Sequence, residues 1–172
     1  MQTNEPDSHR ALADIDLSEL TFMMSSEDGG YYDPATGETY PIISGTIVAG
    51  DDDVDLDELD VIRVDNQSRE GFEDMTDFAG AVSDAVLSDR LFRSLDGRGP
   101  FRRFRNTLAE EGDAFREIWF RFSNARLEAR AIEWLVDNDL CDTSEAAAAV
   151  QKRDALAEAA LVEAAQWIRH VP

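Results

Sequence analysis

The sequence predicts an α+β fold, mostly helical, with a small N-terminal antiparallel sheet of two to four strands packed on a bundle of four to five helices. Three observations lead there. Between about residues 30 and 64, short β-branched and aromatic runs alternate with turn residues. From Ser68 onward the apolar period lengthens to 3.6. A chain of 172 residues, 43% apolar and 31% charged, is large enough to bury a core without disulfide or metal staples.

Residues 1–14 have little to bury and are expected to be a disordered lead-in. Asp16 is placed to cap a short helix that aligns Leu17, Leu20 and Met24, and Gly29-Gly30 ends it. Tyr31-Tyr32 and Thr39–Ile43 flank the turn residues Asp33-Pro34-Ala35-Thr36-Gly37-Glu38, the pattern of a hairpin with a longer loop. Pro41 lacks a ladder donor, which places its strand at an edge or delays its start. Thr46–Val48 and Val61–Val64 are further strands, separated by an exposed acidic loop from Asp51 to Asp60.

Ser68 is placed to cap a helix carrying Phe72, Met75, Phe78, Ala79 and Val82 on one stripe. Leu87, Leu91 and Leu95 define a second short helix, stopped by Asp96-Gly97. Gly99-Pro100 opens a third, where proline at the first helical position costs no hydrogen bond and Phe101, Phe104 and Leu108 form the inner side. A long helix runs from Asp113 to about Leu140, burying Phe115, Ile118, Trp119, Phe122, Ile132 and Leu135. Asp142 with Glu145 resembles a capping arrangement before an Ala-rich helix to about Ile168, with Val150, Leu156, Leu161, Val162 and Trp167 as its sparse apolar content. The expected organisation is a lead-in over 1–14, one α+β domain over 15–140, and an Ala-rich C-terminal helical extension over 141–172.

Charge is unevenly spread. Residues 1–82 hold 21 acids against three Arg, a net of −18, whereas residues 83–172 hold 16 acids against 13 bases, and the whole chain carries −21. Such an excess repels nucleic-acid backbone on average and suits either a salt-adapted surface or one that faces a partner. No apolar run is long enough to span a bilayer and no secretory leader is visible at the N-terminus, so a cytoplasmic location without membrane association is expected.

Most catalytic devices find no support. His9 and His170 lie close to the termini, which argues against a rigid general base, and the lone Cys141 reads as a small, partly buried residue without a redox role. Asp51–Ile62 mimics a calcium loop, but Leu56 stands where glycine is required and Ile62 where glutamate is required. No phosphate-cradling glycine motif occurs. No catalytic residue, metal or cofactor is assigned.

The segment from Arg90 to Arg105 reverses the local sign, with six Arg against a single acid. Candidate binding residues are Arg98, Arg102, Arg103 and Arg105 here, with Arg121 and Phe120 further on. Three readings stay open: pairing with carboxylates of the protein's own acidic half, binding of phosphate or nucleic acid at a helix N-terminus, and docking of an acidic protein partner. Spacing assigns Trp119, Phe122 and Trp134 to the core and leaves Phe120 off the stripe, the aromatic most exposed to contact.

Tyr31-Tyr32-Asp33 with Gly37-Glu38, Ser68-Arg69-Glu70-Gly71-Phe72 with Met75 and Phe78, Gly97–Phe104, Trp119-Phe120-Arg121-Phe122 and Glu133-Trp134-Leu135 resemble, in order, the landmarks of the bacterial uncharacterised protein family zero-one-five-eight. The resemblance covers about Asp16 to Leu140. It departs at Pro100, where that family usually has Ala, and at Phe120, where it usually has Tyr. It implies a shared fold and carries over no catalytic residue, and the acidic loop and the Ala-rich helix look particular to this chain. The function expected is a non-enzymatic acidic module that acts by binding a protein. The alternative is a nucleic-acid or phosphate binder using Arg98–Arg105, with self-association through the C-terminal helix left open.

Overall fold

The computed structural model describes residues 9–50 and 54–169. Among them it forms α1 (Leu17–Ser25), β1 (Gly30–Tyr32), β2 (Thr39–Ile43), β3 (Thr46–Ile47), β4 (Ile62–Val64), α2 (Ser68–Ala81), α3 (Ala85–Leu95), α4 (Pro100–Glu111), α5 (Asp113–Asp137) and α6 (Thr143–Ala165). The fold is α+β, as its two periodicities indicate. Two compact units divide the chain: residues 1–68 with 127–151, and residues 69–126 with 152–172. Each has its own core.

In the first unit the four strands run antiparallel in the order β3-β2-β1-β4. Asp16 caps α1 by accepting from the amides of Ser18 and Glu19. Gly29, at φ +68°, lets the chain turn closely past the Val64 carbonyl, where any side chain would collide. Tyr32 and Val64 pack with Leu20, Met23 and Met24 of α1 and with Ile132 and Leu135 of α5. The Tyr32 ring meets Trp134 edge-on at 5.8 Å. Cys141 is fully buried rather than partly so, and burial raises its thiol pKa.

Several sequence expectations change here. Pro41 lies within β2, an interior strand, rather than at an edge. Its carbonyl accepts from the Val48 amide at 2.8 Å, so its missing donor points the same way, beyond the last residue of the two-residue β3, and interrupts no ladder. Residues 1–8 of the expected lead-in and Asp51–Asp53 of the acidic loop lie outside the described residues. Within the remainder, Leu12 is buried in a 3₁₀ turn, and Leu56–Glu58 form another turn capped by Asp55. Ser68 is not the cap of α2; it is the first helical residue, and its hydroxyl donates to Asn66 at 3.0 Å.

The second unit is helical. Phe78 of α2 stands at its centre, with ring centroids of Phe104, Phe115, Trp119 and Phe122 between 5.2 and 6.5 Å away. Leu87, Leu91 and Leu95 of α3 are buried as their spacing requires. Phe72 does not join the stripe expected of it and is 38% exposed. The inward side of α6 is made by Ala157, Ala160 and Ala164, while Leu156 and Val162 point outward. Small side chains let this helix approach closely, and of its larger apolar residues Leu161 and Val150 pack beside the cores.

Candidate functional site

The α3–α4 corner is set by backbone conformation. Gly97 and Gly99 both have positive φ, and Gly99 holds the left-handed conformation at the N-cap position of α4. Pro100 then begins the helix without side-chain capping of the free amides. Phe104 and Leu108 are wholly buried and fix which arc of α4 faces the core. Phe101, expected inside, is instead 42% exposed. One edge of its ring rests against α2, where a Cβ added at Gly71 would stand 3.4 Å from it. Phe101 shares a side of α4 with Phe104, but it stands in the first turn, where its side chain leans toward the helix N-terminus and past the core.

The six arginines of this segment divide evenly. Arg90 reaches Glu110 at 2.7 Å and Arg93 pairs with Asp89 at 2.6 Å. Arg103 donates to the main-chain carbonyls of Asp96 and Arg93, closing the C-terminal end of α3. Arg98, Arg102 and Arg105 are exposed, and no hydrogen bond or ion pair holds them among the described residues. The acids used by the segment, Asp89, Glu110 and Glu111, all lie in the second half of the sequence. The pairing with the acidic N-terminal half allowed by the sequence is therefore absent from this segment among the described residues.

The other two candidates stand elsewhere on the second unit. Arg121 of α5 forms a two-pronged bond with Glu163 of α6, at 2.7 and 2.6 Å, which raises the Arg121 pKa and lowers that of Glu163. Phe120 is 43% exposed and joins no ring pair among the described residues. The structure thus brings Arg98, Arg102, Arg105 and Phe101 to one corner and leaves Arg121 and Phe120 apart from them.

Several polar arrangements escaped sequence reasoning. Arg126 donates to Asp77 at 2.9 Å, tying α5 to α2. Arg169 donates to Asp84, which also caps α3 through the Leu87 amide, and Trp167 donates to Glu111 at 2.9 Å. These pairs lie 45 or more residues apart, beyond any local pattern. Buried Asp33 accepts from the Ala35 amide and the Thr36 hydroxyl, a turn-building role its spacing could have revealed. Tyr40 donates to Glu38 at 2.9 Å, and burial followed by this bond pushes its pKa up to about 12. Among the described residues no group of three or more His, Cys, Asp or Glu could hold a metal ion. No helix among them is long and apolar enough to cross a membrane.

Comparison with known proteins gives one consistent result. No solved structure matches the chain. UPF0158 protein PA5073 of Pseudomonas aeruginosa is similar to it, 26% identical over 136 residues that cover 73% of this chain and 84% of that protein. The sequence profile described as "Uncharacterised protein family (UPF0158)" matches residues 40–155. That match spans residues 51–60 and runs into α6, so the acidic loop and the first half of the Ala-rich helix, which both looked particular to this chain, lie inside the family region. With about two thirds of its length inside that profile, the chain belongs to the uncharacterised protein family UPF0158.

Proposed function

We propose that this protein is a non-enzymatic interaction module whose contact surface is the α3–α4 corner. The observation that carries the proposal is the division of the arginines. Arg90, Arg93 and Arg103 are consumed by the fold, whereas Arg98, Arg102 and Arg105 extend into solvent beside a half-exposed phenyl ring. Arginine and aromatic side chains together dominate the energetics of protein interfaces, because both desolvate at modest cost and both offer directional contacts. Stability gives no reason for this group, since exposed cations without partners contribute almost nothing to folding.

Affinity capture from the organism that encodes the chain tests the proposal. The bait is the full chain, compared with an Arg98→Ser/Arg102→Ser/Arg105→Ser variant that melts at the same temperature. The expected result is a stoichiometric protein held by the wild type and lost by the variant. Equal capture by both, or none by either, overturns the reading.

A second reading is favoured by the uncapped N-terminus of α4, whose free amides lie next to the same guanidinium groups. On that reading the ligand is phosphate or nucleic acid, and its affinity falls steeply with salt. Filter binding of RNA and DNA at low salt separates the two readings, as only the second predicts retention.

A further inference from the structure

We infer that the occupant of the α3–α4 corner is an acidic protein segment bearing a large apolar side chain between its carboxylates. This rests on the interaction-module reading and adds the chemistry of the partner.

The helix geometry sets the spacing. Arg102 and Arg105 are three residues apart on α4, and Phe101 and Arg105 are four apart, so neighbouring Cβ atoms stand about 5–6 Å from each other on one arc. Arg98 lies just ahead of this arc, at the approach to Gly99. Arg102 and Arg105 therefore flank one side of the half-exposed Phe101, whose ring edge lies against α2 at Gly71, and Arg98 precedes them in the chain. An apolar side chain laid on the ring loses water contact on both surfaces, while flanking carboxylates meet the forked N–H groups two at a time.

Charge complementarity selects a short acidic segment over a nucleic acid. The chain carries −21 overall, and three free Arg make a small positive island in that field. A nucleic-acid backbone extends well past such an island, bringing its phosphates within a Debye length of about 8–10 Å of the surrounding acid. A segment of four to six residues need touch only the island. The exposed ring supports the same choice, because an isolated phosphate makes no use of it.

Fluorescence anisotropy with the full chain tests this. The probe is a labelled six-residue peptide with two acidic residues on each side of a central Leu-Phe pair, measured in about 50 mM and 150 mM salt. Three comparisons accompany it: the same peptide with Ser-Ser at its centre, a labelled single-stranded oligonucleotide of equal charge, and inorganic phosphate as competitor. Saturable binding of the Leu-Phe peptide is expected, weakened at least tenfold by Arg102→Glu/Arg105→Glu and at least threefold by Phe101→Ala or by the Ser-Ser centre. Lys152→Glu, which alters net charge as much as Arg105→Glu alone, should change affinity less than twofold.

No binding of the Leu-Phe peptide at the lower salt, tighter binding of the oligonucleotide, displacement by millimolar phosphate, or equal effects of Lys152→Glu and Arg105→Glu would each overturn the inference. If capture from the native organism depends on the three arginines while the peptide does not bind, the interaction module stands and its acidic occupant falls. If that capture is indifferent to them, both fall.

Discussion

The Arg103 guanidinium donates to the carbonyl of Arg93 at 3.0 Å, across the turn that joins α3 to α4. This bond separates Arg103 from its neighbour Arg102, although the sequence presents them as equivalent. One side chain satisfies carbonyl groups left open at a helix end, and the other extends from the outer face of α4 with no partner among the described residues.

Arg103→Ala should therefore lower stability by about 1 kcal/mol, the net worth of an exposed charge-assisted hydrogen bond at a helix terminus. Arg102→Ala should fall within about 0.5 kcal/mol of wild type. Urea unfolding followed by circular dichroism measures both, and equal midpoints for the two variants would contradict the structural distinction.

The phenyl rings of α4 should diverge more strongly. Phe104 is wholly buried, with its ring 4.9 Å from that of Trp119, so Phe104→Ala should cost about 3–5 kcal/mol through lost burial and a residual cavity. Phe101→Ala removes a ring that is already 42% in water and should cost about 1 kcal/mol. Tryptophan fluorescence during chemical unfolding reports the difference, since Trp119 lies in the core that loses Phe104.

Stability should decline at both ends of the pH scale. Asp84, Asp142 and Glu163 have folded-state pKa values lowered chiefly by bonds to Arg169, Ser144 and Arg121, respectively. Each contributes stability above its ordinary carboxylate pKa and loses that contribution as pH falls through the lower folded value, so the acid limb should begin near pH 4. Tyr40 moves the other way, from 10.0 to about 12. Its contribution is complete below pH 10 and disappears as pH rises toward 12, because the unfolded chain ionises first. Thermal melts across pH 3–12 should show both limbs, and Tyr40→Phe should remove much of the alkaline one.

Deleting residues 143–172 should abolish cooperative unfolding rather than leave a smaller folded protein. Ala157, Ala160 and Ala164 are buried in one core and Ala146 in the other, and Trp167 packs against Phe115 with ring centroids 5.1 Å apart. A sharp melting transition in the truncated chain would show that α6 is dispensable.

What the sequence determined by itself was local. Period and punctuation located the six α-helices of the described residues, the hairpin and the remaining strands, since capping residues, prolines and glycines act within a few positions of where they stand. Apolar spacing identified the buried arc of α3 and most of that of α5, because each presents one regular stripe. Tertiary structure alone decided the rest. Pro41 could enter an interior strand because its neighbour is only two residues long; Phe101 is half in water because it stands in the first turn of α4, at the margin of the core; and α6 was buried largely through alanines because close approach rewards small side chains. Arg93 found its acid four residues away, but the fates of Arg103 and Arg121 depended on groups seven and 42 residues away, Asp96 and Glu163. Helical phase shows that a guanidinium leaves the core, and only the packing of other helices determines whether a carboxylate, a carbonyl or water meets it there.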